Sequence, residues 1–366
     1  MRYELSKLPL QTLVTPVATA TAALVRLDER LNRSDLRQGC ISRADFADAC
    51  ASLWIDGELV HLEDLVLHDA GMGIRAPTHE LAIAQDVLRT RRRISGHPAG
   101  WALSPEGLRN LRGRGGGNDA ATLPAPLPEE EALSEPIAED EDPLARELAE
   151  IDAVLARSEA VLSGTIQPSR SSRQERAPLV YEPGWDEDER LEEWRAILIE
   201  TDGLPAALRA ALLLDAWNQL QVLQHAPWLG RLLAASLLRK ADITIAHLVA
   251  VNRGLRNVSR ERRTSRDRNT RLLAILDGIG IASELGLKEH DRLLLAKQQM
   301  QRKLDGRRRS SKLPKLIELV LSRPMVSAGM IAEVLDVTPQ GALKIAGELN
   351  LRELTGRGRF RAWGIV

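Results

Sequence analysis

The sequence predicts a mainly α-helical chain, a multi-helix body followed by a C-terminal winged helix-turn-helix, and three observations carry that expectation. Apolar residues recur at three-to-four spacing through most of the 366 residues, and no alternating apolar and polar run marks a strand before residue 351. Aromatic residues are only 3% of the chain, so Leu and Ala must fill the core. Near the end, a Thr-Pro helix start and a Gly-Arg-Gly turn stand in the order a winged helix needs.

With 44% apolar and 28% charged residues, the composition excludes collagen-like and multi-span membrane classes. The net charge of −1 hides a split. From Arg253 to Val366, 24 Lys and Arg face 12 Asp and Glu, a balance of +12, whereas residues 1–252 carry 26 against 39, or −13. A basic end on an acidic body suits either a polyanion partner or the docking of two oppositely charged domains.

Residues 1–112 read as an N-terminal helical block, interrupted at Gly39, at Gly71 to Gly73 and around Gly96 to Gly100. Residues 113–142 are rich in Gly and Pro, and eight acids from Glu129 to Asp142 meet no base. Such a stretch cannot bury enough apolar area to offset its ordering entropy and predicts an acidic flexible linker. A helical domain over 143–311 follows. It opens with a helix from Pro143 to Gly164, crosses a second polar break that ends at Gly184, and continues through helices such as DEDERLEEWRAILIET and LPAALRAALLLDAWNQLQVLQ.

The last module, 312–366, is the most specific. KLPKLIELVLSRP predicts a helix with Leu313, Leu316, Ile317, Val320 and Leu321 inward, stopped by Pro324. Ser327 caps a second helix, with Met330, Ile331, Val334 and Leu335 inward. After a short turn, Thr338 and Pro339 supply the N-cap and first residue of a third. Two short helices across a tight turn make a helix-turn-helix, and LRELTGRGRFRAWGI adds a β-hairpin wing around Gly356 and Gly358. With Ala342, Ala346 and Leu349 buried, the third helix presents Gln340, Leu343 and Lys344, while Thr338 and the helix-start amides suit a phosphate. Arg357, Arg359 and Arg361, two apart, share one face of the returning strand. These seven residues are the expected DNA contacts, and Arg307, Arg308 and Arg309 are placed to follow the backbone. The alternative is a winged module that docks a protein.

Arg253 to Arg271 holds eight arginines against Glu261 and Asp267. The run is either a second nucleic-acid contact or a strip of ion pairs against the acidic body, and its lack of aromatics argues against base stacking. The seven histidines are scattered, and Cys40 and Cys50 read as buried thiols in a helix, so neither a metal site nor a disulfide framework is expected. No GxxxxGK[ST], GxGxxG or GxSxG motif gives an enzyme class. No signal peptide or membrane span is expected, and the location is expected to be cytoplasmic.

HAPWLGRLLAASLLRKA, from His225 to Ala241, resembles the motif segment of Fic-domain proteins, and SLWIDG, from Ser52 to Gly57, is similar to their inhibitory motif, with Asp56 where glutamate is expected. The resemblance implies His225 as a general base for AMP transfer, with Gly230 and Arg231 matching the glycine-arginine loop. The acidic metal-holding residue and the Gly-Asn-Gly phosphate turn are missing, and the spacing is shortened. Over most of residues 40–366 the chain more closely resembles a bacterial, often plasmid-borne family of unknown function with a C-terminal helix-turn-helix. Together these imply a degenerate Fic-like body without cofactor or metal, carrying a DNA-binding module. The expected function is a non-enzymatic transcriptional regulator, possible as a homodimer, bound to double-stranded DNA. The competing readings are a Fic-like AMP transferase and a protein-interaction adaptor.

Overall fold

The computed structural model describes residues 3, 8–72, 76–112, 185–304, 312–349, 351–355 and 361–365. Met1–Gly115 and Asp186–Val366 form one compact unit. The other unit, Gly116–Trp185, lies outside the described residues except for Trp185, and with it the expected linker and the helix from Pro143.

The first stretch supplies α1 (Leu10–Asn32), α2 (Arg37–Asp56), α3 (Leu62–Asp69), α4 (His79–Gly96) and α5 (Pro105–Arg112). The second supplies α6 (Glu187–Glu200), α7 (Ala206–Leu220), α8 (Leu229–Lys240), α9 (Val251–Leu255), α10 (Arg260–Arg263) and the long α11 (Arg268–Arg302). Local chemistry sets several boundaries. Asp186 accepts the Asp188 and Glu189 amides at the start of α6, and three acids in that first turn suit the positive end of the helix dipole. Asp267 caps α11 by accepting the Thr270 amide at 2.9 Å, and Gly57, at φ 98°, closes α2 in the left-handed region.

α7 and α8 are apolar on nearly every face and so occupy the centre of the body. Trp194 of α6 meets Trp217 of α7 edge to face at 5.3 Å, and the Trp194 indole donates to the Leu213 carbonyl. The same core takes Leu13, Val17 and Leu24 from α1 and Leu53 from α2, so the stretches on either side of the acidic segment share one interior. Arg91 of α4 is fully buried and donates to Asp45, Asp48 and the Leu248 carbonyl. Asp48 also accepts the Asn252 side chain and the Arg253 amide, so the network ties α2, α4 and α9 with its charges paired.

Two sequence expectations are corrected here. Gly39 does not break a helix but lies within α2, where a Cβ would come 2.1 Å from the Leu321 carbonyl oxygen. α1 is long and apolar enough by length and composition to cross a membrane, contrary to the expectation that no segment is; its inner face packs into the core.

The C-terminal module comprises α12 (Leu313–Ser322), β1 (Val326–Ser327), α13 (Ala328–Leu335), α14 (Pro339–Glu348), β2 (Arg352–Glu353) and β3 (Ala362–Gly364). The strands lie in the order β1-β3-β2, with Trp363 opposite Val326 on one side and Glu353 on the other, both pairings antiparallel. Its core is not separate from the body. Leu316, Ile331, Ala342 and Trp363 share a cluster with Leu27, Leu31, Cys40 and Leu293 of α1, α2 and α11.

Candidate nucleic-acid interface

The two helices of the expected helix-turn-helix are α13 and α14. Ser327 accepts the Met330 amide at 3.2 Å to start α13, and Asp336 turns the chain at φ 50°. Thr338 then accepts the Gly341 amide at 3.1 Å, with Pro339 as the first residue of α14. Ala342, Ala346 and Leu349 are buried, which leaves Gln340, Leu343 and Lys344 on the outer face. Val334 departs from expectation: it is 47% exposed, because α13 buries only Met330, Ile331 and Leu335.

Each helix of the module ends on a cation from elsewhere. Arg43 of α2 donates to the Leu321 and Val320 carbonyls of α12 at 2.6 and 2.7 Å. Lys312 donates to Leu335 and Asp336 after α13, and Lys303 donates to Leu349 after α14. These contacts satisfy carbonyls that a helix end leaves open and match the negative end of its dipole. Arg43 is buried, its guanidinium faces Glu289 of α11 at 3.5 Å, and burial pushes it down to about 10. Part of the basic charge seen in the sequence therefore fastens the module.

On the wing, Arg361 is exposed but already engaged. Its Nε and Nη2 donate to Glu353 at 2.9 and 2.7 Å, and it lies 5.6 Å over Trp363. Arg357 and Arg359 lie outside the described residues, as do Arg307, Arg308 and Arg309. Among the described residues, no carboxylate stands within ion-pair distance of Lys344.

The Fic-like pieces meet in the body. Arg231 donates to both Asp56 oxygens at 3.0 and 2.6 Å and to the Ser52 hydroxyl at 2.9 Å. Gly230 and Arg231 lie inside α8 rather than in a loop, and a Cβ on Gly230 would come 2.3 Å from the Trp217 ring. His225 faces the buried carboxylate of Glu187 at 3.3 Å. The glycine packs against the Trp217 ring, and the arginine is held by a carboxylate. Cys40 and Cys50 are buried thiols, both pushed up to about 12 by burial.

Most of the arginine run is occupied within the fold. Arg271 pairs with buried Asp215, Arg262 with Asp277, and Arg263 donates to the Val258 carbonyl. Sequence reasoning missed one neighbour, because Trp54 is some 200 residues away in the chain: Arg256 and Arg263 lie 5.3 and 5.8 Å over its ring.

Residues 179–305 match the model of a family described as "Protein of unknown function (DUF1612)", and residues 313–366 match that of an "HTH DNA binding domain". A solved Fic family protein from Desulfovibrio desulfuricans G20 is 12% identical, with 99% of this chain and 98% of that one covered at a TM-score of 0.46. The uncharacterized protein y4cF of Sinorhizobium fredii is 55% identical over 380 residues that cover all of both chains. The chain thus carries a helix-turn-helix DNA-binding domain after a DUF1612 region, and at that level of identity it belongs to the same family as y4cF.

Proposed function

We propose that the protein is a transcriptional regulator that holds double-stranded DNA with α14 and the wing, while the helical body acts as a non-catalytic scaffold. The observation that carries this reading is the outer face of α14, where Gln340 and Lys344 stand free of the module core on a helix capped by Thr338. Lys344 meets a phosphate as a point charge, and Gln340 has the amide pair that matches an adenine edge. Thr338 and the helix-start amides take a neighbouring phosphate, with Leu343 against a base or sugar. Arg357, Arg359 and Arg361 supply the wing contact, Arg361 by exchanging Glu353 for a phosphate, and Arg307 to Arg309 follow the backbone. The body contributes no metal or nucleotide chemistry in this reading, since Gly230 packs on Trp217 and Asp56 holds Arg231. A regulator of this kind works in the cytoplasm, and as a homodimer it reads half-sites about one helical turn, roughly 35 Å, apart.

The test is selection of bound duplexes from a random library with the full-length protein, followed by titration at several salt concentrations. Lys344→Ala is expected to weaken binding across all sequences and to lower the slope of log K against log salt by about 1. Gln340→Ala is expected to relax preference at one base pair, at a cost of about 1–3 kcal/mol. Absence of duplex binding at about 50 mM salt sinks the regulator reading. AMP transfer lost in His225→Ala removes the non-catalytic one.

A further inference from the structure

The arginine run and the surface indole meet at a place that the helix-turn-helix does not explain. Trp54, near the end of α2, is 39% exposed, a large apolar group left at the surface. Arg256, just past α9, and Arg263, at the end of α10, lie over its ring. Arg260 opens α10 one turn before Arg263, and Arg231 lies close enough that both it and Arg260 act on Arg263. The Asp56 carboxylate is bound on both oxygens by Arg231. Glu261 shares the α10 turn, and Glu63 and Arg256 act on Cys50 in opposite directions. Even so, Arg256 and Arg260 are exposed and, among the described residues, neither has a carboxylate within ion-pair distance.

A guanidinium resting on an indole loses rotamer freedom while its N–H groups stay available at the ring's rim. Arg256 and Arg263 are held in this way, Arg263 also through its Nε to the Val258 carbonyl, and with exposed Arg260 they make a preorganised anion-binding surface. Exposed ion-pairing strips hold their cations against acids, whereas this one holds them against an aromatic. Burial first, and then the like charges of Arg231 and Arg260 against the opposing charge of Asp56, hold Arg263 below the ordinary arginine range, a direction that an added anion opposes. Trp54 lies eleven residues along α2 from Arg43, the residue that grips the module. At 1.5 Å per residue that is about 16 Å along the helix.

We infer that Arg256, Arg260 and Arg263, arrayed on Trp54, form a second contact of the helical body with the phosphate backbone of the DNA that the winged module holds. This rests on the regulator reading and extends it: the module supplies base contacts, and the body supplies sequence-independent grip on the flank. Each phosphate neutralised releases counterions, so the contact shows itself in the salt dependence rather than in the preferred sequence.

The experiment uses full-length protein and a duplex long enough to leave about one further helical turn on each side of the selected site. Arg256→Ala/Arg260→Ala is expected to lower the salt slope by about 2 with the base preference unchanged, and Arg256→Lys/Arg260→Lys to recover most of the slope. Trp54→Leu, which keeps the charges and removes the platform, is expected to weaken binding with a smaller change in slope. An unchanged slope in the Ala variant, with Lys344→Ala still weakening binding, overturns this inference and leaves the regulator reading standing. Loss of duplex binding by the wild type itself overturns both. A circular dichroism spectrum and a urea midpoint equal to wild type show that the Ala variant is folded.

Discussion

At the residue scale, the buried carboxylate of Asp28 is informative because its partners are defined. Asp28 of α1 accepts the Ile245 and Ala246 amides at 3.0 and 2.8 Å and the His247 ring at 2.8 Å. Burial pushes its carboxyl up, but the His247 hydrogen bond and the two amides outweigh that and hold it below the usual carboxylate range. A depressed carboxyl contributes stability above its unfolded value, about 3.9, and that contribution is lost as the pH falls through the folded one. Asp28→Asn is therefore expected to be less stable than wild type at pH 7, with the gap between their urea midpoints closing below about pH 4. A gap that stays constant from pH 7 to pH 3 contradicts this account. Gly230 is a residue-scale constraint of another kind, since the Trp217 ring fills the space where any side chain would begin.

At the scale of elements, helix ends decide what the module can do. Thr338 both caps α14 and lies where a phosphate is expected. The two roles separate by charge. Thr338→Ala is expected to cost about 1 kcal/mol of stability, whereas Thr338→Asp keeps the cap and stays within a few tenths of wild type. Its negative charge nevertheless weakens duplex binding, so stability and affinity diverge in that variant. Equal losses of both, measured by urea unfolding and duplex titration, leave Thr338 with a structural role only. The legibility of this region follows from the same locality. Ser327, Thr338 and Pro339 act within four residues of themselves, so α13 and α14 were readable from the sequence, along with the buried stripe of Ala342, Ala346 and Leu349. Val334 was misread because a helix of eight residues offers several faces at three-to-four spacing, and only the surrounding packing selects one. The Arg256–Trp54 contact was illegible for the opposite reason, its partners being far apart in the chain.

At the scale of the whole molecule, the module is mounted on the body rather than strung from it. Gly39 lets α2 approach the end of α12, Arg43 grips two carbonyls there, and Leu27, Leu31 and Leu293 extend the module core into the body. A glycine inside a helix costs about 1 kcal/mol relative to alanine, so the sequence read it as a break; the compensation is tertiary and lies some 280 residues away. Arg43→Ala leaves those carbonyls without their buried donor, while Glu289 keeps Arg292 on both oxygens, at a cost of about 1–3 kcal/mol. The unit formed by Met1–Gly115 and Asp186–Val366 is expected to unfold in one transition in the wild type, whereas Arg43→Ala is expected to release the module first. Hydrogen exchange checks this, with amides of α13 and α14 losing protection ahead of those of α7 and α8. Matching protection losses in the two regions show instead that Arg43 stabilises the whole unit uniformly.

The grip of Arg43 falls on main-chain oxygens, and main chain is the one part of α12 that substitution does not alter. That hydrogen-bonded part of the mount places no demand on the side chains of α12, whereas Leu316, Ile331 and Trp363 still have to match Leu27, Leu31 and Leu293. The outer face of α14, with Gln340, Leu343 and Lys344, takes part in neither that grip nor the shared cluster and is free to change while the seat stays the same. A foreign α12–β3 segment that keeps the helix end and the apolar residues facing Leu27, Leu31 and Leu293 is therefore expected to seat on this body.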